Sequence, residues 1–172
     1  SDMHSAVTAA IGTLKGPLHG GANEQVMKTL ETIGSPEAVE DAVREILGSG
    51  KKIMGFGHRV YRTEDPRATH LRRLSQQLGE ASGDLQYYEM SLTMEKVVMD
   101  MKGLCPNVDF FAASVYHALG IPTDLFTPVF AVSRMAGWTA HVMEQHADNR
   151  LIRPESEYVG ERDQTWIPIE QR

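Results

Sequence analysis

Apolar residues recur along this chain at intervals of three and four, the period of a helix with one buried face. Nowhere do they alternate for more than a few residues, as a half-buried strand requires. Met3, Val7, Ile11 and Leu14 mark a helix over residues 2–15, with Asp2 placed to cap it. The segment GPLHGGANE, residues 16–24, interrupts the pattern with Gly16, Pro17, Gly20 and Gly21 and permits a tight turn, in which His19 sits. Val26, Met27 and Leu30 carry the next helix to Gly34. Ser35-Pro36-Glu37 reads as a further start, a capping hydroxyl followed by proline at the first helical position, with Val39, Val43, Ile46 and Leu47 as the stripe behind it. Gly48 and Gly50 end that helix.

Asp65-Pro66 opens a helix whose predicted buried face is Leu71, Leu74 and Leu78. Residues 86–101 are predicted as a methionine-rich helix. Core packing explains Met90, Met94, Val97, Val98 and Met101 better than a cofactor box does. Pro106-Asn107-Val108-Asp109 is a capped start leading into Phe110, Phe111, Val115 and Leu119, with Gly120 as the stop. From Phe126 to about His146 the helical spacing returns, with Val129, Phe130, Ala136, Ala140 and Met143 assigned to the core and Arg134 in the middle. Pro154 and Pro168 rule out a long helix in the remaining tail, which is expected to be extended. Without repeats or strand patterns, the expectation is an all-α fold.

Composition narrows the partners more than the fold. At 172 residues, 41% hydrophobic and 23% charged, the chain can bury a real core and has an ordinary globular balance. No apolar run is long enough to span a bilayer. A net charge of -6, with lysine and arginine scattered, argues against nucleic acid. Cys105 is the single cysteine, which excludes an internal disulfide and fits a reducing compartment. Beside Pro106 it reads as a small apolar residue rather than a nucleophile. The opening SDMHSAVTAAIG is helical from the start and lacks an initiator methionine, so a partial chain is expected.

The candidate chemistry begins with KKIMGFGHRVYR, residues 51–62. Gly55 and Gly57 bracket Phe56, so the backbone can take conformations closed to other residues and lie against a ligand. Lys51, Lys52, Arg59 and Arg62 collect positive charge around His58 in an otherwise acidic chain, which suits an anion carrying phosphates or carboxylates. A helix-to-helix loop with solvated charges accounts for the same residues. The dinucleotide fingerprint is excluded, because the third glycine and the preceding strand are both missing.

Beyond this stretch, His19, His58 and Asp109 are the acid-base candidates, and Arg67, Arg134 and Arg153 are the carboxylate clamps. Arg67 lies in a first helical turn, where positive charge is disfavoured, which hints at another task. A histidine before a helix N-terminus is held neutral and can donate to a developing oxyanion, while an aspartate takes a proton next to a carbonyl. Two histidines and a carboxylate also describe an iron triad, which the wide spacing disfavours. His4, His70, His117, His141 and His146 are assigned to packing or solvent.

GPLHGGAN, GFGHRVYR with EDPR after it, PNVDFF, and SRMAGW followed by RLIRP together resemble the successive signatures of the citrate synthase family, across residues 16–154. The resemblance implies a helical enzyme that condenses acetyl-CoA with oxaloacetate and hydrolyses the citryl-CoA formed. It implies Asp109 as the base that deprotonates the acetyl methyl, His19 as the enol stabiliser, and His58 as donor to the oxaloacetate carbonyl. Arg67 and Arg134 would bind carboxylates, and Arg153 would reach the neighbouring subunit of a homodimer. Ile53, Met54, Gly55, Phe56, Gly57, Arg62 and Asn107 would hold coenzyme A, with no metal and no tightly bound cofactor. Family members carry a further N-terminal half, so this chain alone is expected to be inactive. Residues 20–118 would be a small domain, with residues 1–19 and 119–172 belonging to a large one. A cytoplasmic protein is expected. Two alternatives are a 2-methylcitrate synthase using propionyl-CoA and a catalytically silent helical module that binds a ligand or partner.

Overall fold

The computed structural model describes residues 1–16 and 20–172. Within them the regular elements are α1 (Met3–Leu14), α2 (Ala22–Ile33), α3 (Val39–Gly48), α4 (Pro66–Ser82), α5 (Gln86–Lys102), α6 (Val108–Ala118) and α7 (Phe126–Ala147). Single turns of 3-10 helix occur at Pro36–Ala38, Thr123–Leu125 and Ile169–Gln171. The all-α expectation holds: among the described residues the strand-like pairing is one isolated bridge between Phe56 and Pro106.

The core forms where the predicted stripes of four helices converge. Val26, Met27 and Leu30 of α2 meet Val39, Val43 and Leu47 of α3, Met90, Met94, Val97 and Val98 of α5, and Phe110 and Phe111 of α6. Phe126, the first residue of α7, closes this cluster. Fully burying each such large side chain is worth about 1.5–3 kcal/mol, so this convergence holds α6 in place at the centre. Asp2 caps α1 as expected, its carboxylate accepting from the Ser5 backbone N–H at 2.9 Å. Ser35 differs from expectation: it makes no side-chain cap bond, and a 3-10 turn intervenes before α3. Met101 and Leu119 lie at helix ends and are exposed rather than buried.

Two predicted faces are corrected. α4 meets α6 through Ala68, Ser75 and Gly79, while Leu74 is 41% exposed and Leu71 and Leu78 are only partly buried. Small residues let the two axes approach, and at their contact the Ser75 and Ser114 hydroxyls share a 2.7 Å hydrogen bond. Leucines on that face would hold the helices further apart. α7 is buried only at Phe126 and Ala131; Ala136 and Ala140 are exposed, and Met143 is 65% exposed. Along that length α1 runs beside α7 and covers one face, with His146 Nε2 2.9 Å from the Ser1 carbonyl oxygen at the far end. The residues after α7 are exposed and form no helix apart from the turn at Ile169–Gln171, as the two prolines require.

Candidate active site

Between α3 and α4 the chain crosses the N-terminus of α6, and the crossing is fastened by hydrogen bonds. The Gly57 N–H donates to the Cys105 carbonyl at 2.8 Å, and the Asn107 N–H to the Gly55 carbonyl at 2.9 Å. The Asn107 side chain works in both directions. Its Nδ2 donates to the Gly57 carbonyl at 3.0 Å, while its Oδ1 accepts from the Asp109 N–H at 3.0 Å and so caps α6. One residue therefore sets the register between the glycine loop and the helix turn carrying Asp109. Gly55 is required twice over: its φ is +87°, and a Cβ there would lie 2.8 Å from Val26 Cγ2 and 3.0 Å from Phe110 Cβ. Phe56, on the other side, packs its ring 4.4 Å from that of Phe110.

The loop forms one wall of a cavity of about 520 Å³. Ile53, Met54, Gly55, Phe56, Gly57, Asn107 and Asp109 line it, and Lys51, Lys52 and Lys102 stand around it. Among the described residues none of these three lysines is ion-paired. The site thus joins an apolar and backbone floor to positive charge awaiting an anion.

Asp109 sits in the first turn of α6, and no described residue donates a hydrogen bond to its carboxylate. Burial pushes its carboxyl up to about 6, against the pull of Arg67 and with a further push from Asp65. A carboxylate in this condition is a ready proton acceptor near neutral pH, since among the described residues only the Arg67 guanidinium and the N-terminal turn of α6 offset the cost of burying its charge.

Further along α6 lies a second cavity, of about 300 Å³, lined by Val108, Ala112 and Tyr116 of α6, Arg67 and Leu71 of α4, and Phe130, Ser133 and Arg134 of α7. The fork of Arg67 is held by Asp65, with Nε 3.0 Å from Oδ1 and an Nη 2.7 Å from Oδ2. The Asp65 side chain is fully buried and also caps α4 by accepting from the Arg67 N–H at 2.9 Å. These hydrogen bonds from Arg67 hold the Asp65 carboxyl below its usual range despite burial. The positive charge that looked misplaced at a helix start is therefore balanced locally. Arg134 lies 5.1 Å over the Phe130 ring, which fixes its plane.

The ring of His58 is oriented by its own loop: Nδ1 accepts from the Val60 and Tyr61 N–H groups, both at 3.0 Å, and the ring lies 4.4 Å from that of Tyr61. Those two bonds place the proton of the neutral ring on Nε2, which points a donor outward. His58 is exposed and lines neither cavity, and the same is true of Arg62 and of Arg153 in the tail. His19 lies outside the described residues. Among the described residues no three His, Cys, Asp or Glu side chains gather to hold a metal ion. Sequence reasoning missed Lys102 and Tyr116. A lysine in the last turn of a helix is what the helix dipole alone selects, and a tyrosine among apolar positions looks like core, so neither carried a separate signal.

A family model described as citrate synthase, C-terminal domain, matches residues 1–155. Over its whole length the chain is 58% identical to citrate synthase 2 of Bacillus subtilis (strain 168) and 49% identical to the 2-methylcitrate synthase of Shewanella oneidensis, covering 46% of each. The chain thus spans about half the length of the curated relatives it matches. Among solved structures it resembles the ternary complex of carboxymethyl coenzyme A and oxaloacetate with citrate synthase from Thermoplasma acidophilum. The TM-score is 0.89 at 40% identity, with 100% of this chain and 47% of that one covered.

Proposed function

The chain belongs to the citrate synthase family, and we propose that within the full-length protein it condenses acetyl-CoA with oxaloacetate, giving citrate and free coenzyme A. Asp109 takes a proton from the acetyl methyl, and the resulting enol attacks the keto carbon of oxaloacetate. His58 donates from Nε2 to the carbonyl oxygen as it becomes an alkoxide, and His19 holds the enol oxygen. Water then cleaves the thioester of citryl-CoA. Arg67 and Arg134 grip the oxaloacetate carboxylates, and Arg153 reaches the neighbouring subunit of a homodimer. The lysine-rimmed cavity takes coenzyme A along residues 53–57 and Asn107, with Lys51, Lys52 and Lys102 meeting its phosphates; Arg62 approaches it as the loop closes on the ligand. The steps call for no tightly bound cofactor. Residues 20–118 act as a small domain, and residues 1–19 and 119–172 belong to a large one, a division supported by the packing of α1 along α7. A cytoplasmic location fits substrates of this kind.

The observation that carries this reading is Asp109: a partly buried carboxylate, unpartnered among the described residues, on a helix turn that borders both a lysine-rimmed cavity and an arginine-lined one. A module that only bound ligands would have no use for such a base. The match to a 2-methylcitrate synthase supports a second reading in which propionyl-CoA is the acyl donor. One methylene is worth about 1–3 kcal/mol of discrimination, so the two donors differ in rate rather than in mechanism. Thiol release by the full-length protein, followed with each acyl-CoA and with or without oxaloacetate, decides both points. Oxaloacetate-dependent release is expected; coenzyme A binding indifferent to oxaloacetate and without turnover would leave only the silent module.

A further inference from the structure

The arginine cavity contains a hydroxyl to which the steps above give no work. Ser133 in its wall already donates to the Phe130 carbonyl at 2.7 Å, but no described residue partners the hydroxyl of Tyr116. The tyrosine ring is firmly placed, edge-on to the buried Phe126 with centroids 5.2 Å apart and planes at 71°. Side chains on a helix lean toward its N-terminus, so a tyrosine two turns after Asp109 carries its hydroxyl back toward the level of that carboxylate. Arg67 and Arg134 face the same space from α4 and α7. We propose that Tyr116 is a substrate-binding residue whose hydroxyl donates a hydrogen bond to the dicarboxylate gripped by Arg67 and Arg134.

The chemistry fits on both sides. Burial, and then the nearby Asp109, push the Tyr116 phenol up, so it stays protonated and able to donate at neutral pH. The hydroxyl has no partner among the described residues and is not shut off from solvent, so a carboxylate oxygen brought in by the arginines meets a free donor. The two guanidinium groups fix the charge of the ligand. A single neutral donor between them adds discrimination by position, favouring a short dicarboxylate that reaches all three groups over a monocarboxylate that leaves the hydroxyl unpaired.

This inference rests on the proposed function, and the experiment separates the two. In the full-length protein, Tyr116→Phe keeps the ring against Phe126 and removes only the hydroxyl, while Arg67→Ala serves as the reference for loss of the carboxylate grip. Oxaloacetate binding is measured by calorimetry, and KM is measured for each substrate. Tyr116→Phe is expected to weaken oxaloacetate by about ten- to a hundredfold, the range for a hydrogen bond to a charged group, with the acetyl-CoA KM and the melting temperature unchanged. If Tyr116→Phe stays within about twofold while Arg67→Ala loses more than about tenfold, the tyrosine has no such role and the reading of the cavity stands. If neither variant weakens oxaloacetate, both fall. Equal losses for the two substrates, or an early melt, would make Tyr116 a packing residue and also overturn the inference.

Discussion

The two cavities that α6 borders are built from opposite materials. Around one, of about 520 Å³, stand three lysines that are unpaired among the described residues, over a floor of apolar side chains and glycine backbone. Two arginines face the second, of about 300 Å³, one fork fixed by a buried aspartate and the other laid over a phenylalanine ring. An ammonium on a flexible stem is a movable point charge, suited to a long ligand whose phosphates need no exact placement. A guanidinium held from behind presents a fork in one orientation and measures the geometry of a small carboxylate. On the proposed function, the larger ligand would be gathered by charge at its rim and the smaller read by shape. Asp109, on the first turn of the helix that borders both cavities, is the group that the proposed function sets between the two ligands.

Removing Asp109 breaks the comparison most sharply, since both cavities then lose their common purpose while each keeps its own ligand. Asp109→Asn is expected to lower kcat about a thousandfold, within the range for a positioned base, and to leave the oxaloacetate KM within a few-fold. A variant that kept near-normal turnover would sink the assignment. With the carboxyl pushed up to about 6, kcat in the unsubstituted protein should rise through that pH and level off above it. Stability should move the opposite way. The folded pKa lies above the unfolded value of 3.8, so the contribution is fully present below about 4 and is lost as pH climbs through about 6, a change of about 3 kcal/mol. Melting curves should therefore show Asp109→Asn gaining on the parent between pH 4 and pH 8, and parallel pH dependences would mean that burial does not burden this carboxylate.

The seam between the glycine loop and α6 is the next place to press. Gly55→Ala combines a disallowed φ with a clash against Phe110 and Val26, and is expected to cost about 2–4 kcal/mol in urea unfolding. Gly57→Ala, at φ +78° but with its nearest neighbour Leu104 Cδ2 at 3.7 Å, should cost about 1 kcal/mol. Equal costs would show that the loop does not press on α6, and the register set by Asn107 would lose its importance.

How much of this was legible beforehand depends on whether the signal was local. Helices and their ends could be read because periodicity, glycines and prolines act within a few residues: Gly34 and Gly120, both expected as stops, end helices at positive φ. The contact of α4 with α6 was misread because large apolar residues dominate any periodic pattern, whereas close packing there selects Ala68, Ser75 and Gly79. α7 was misread for a related reason, as spacing shows which residues share a face and not whether anything covers it. At the site, the glycine loop and Asp109 stood out as residue types in unusual places. That no described residue partners Asp109 and that Tyr116 shares a wall with two arginines are facts of three-dimensional neighbourhood with no trace in spacing, whereas the pairing of Asp65 with Arg67, two residues apart, is a local one that the helix-start pattern could have suggested.

The smallest expected effect gives the finest test of the contrast between rim charge and fixed fork. Lys102 is exposed at the end of α5, is unpaired among the described residues, and shares its work with Lys51 and Lys52. An exposed charge of this kind is worth about 1 kcal/mol or less, so Lys102→Ala should raise the acetyl-CoA KM about fivefold at low ionic strength. Salt screens exposed charges over roughly 10 Å at 0.1 M and roughly 3 Å at 1 M, so the difference between variant and parent should shrink toward nothing as salt is added. Oxaloacetate, which the proposed function sets against two exposed but pre-aligned guanidinium groups, should lose affinity less steeply over the same range, because a fixed fork adds directed hydrogen bonds to its charge. If the two salt dependences coincide, the arginines are acting as simple point charges after all, and the distinction between the two cavities reduces to their size.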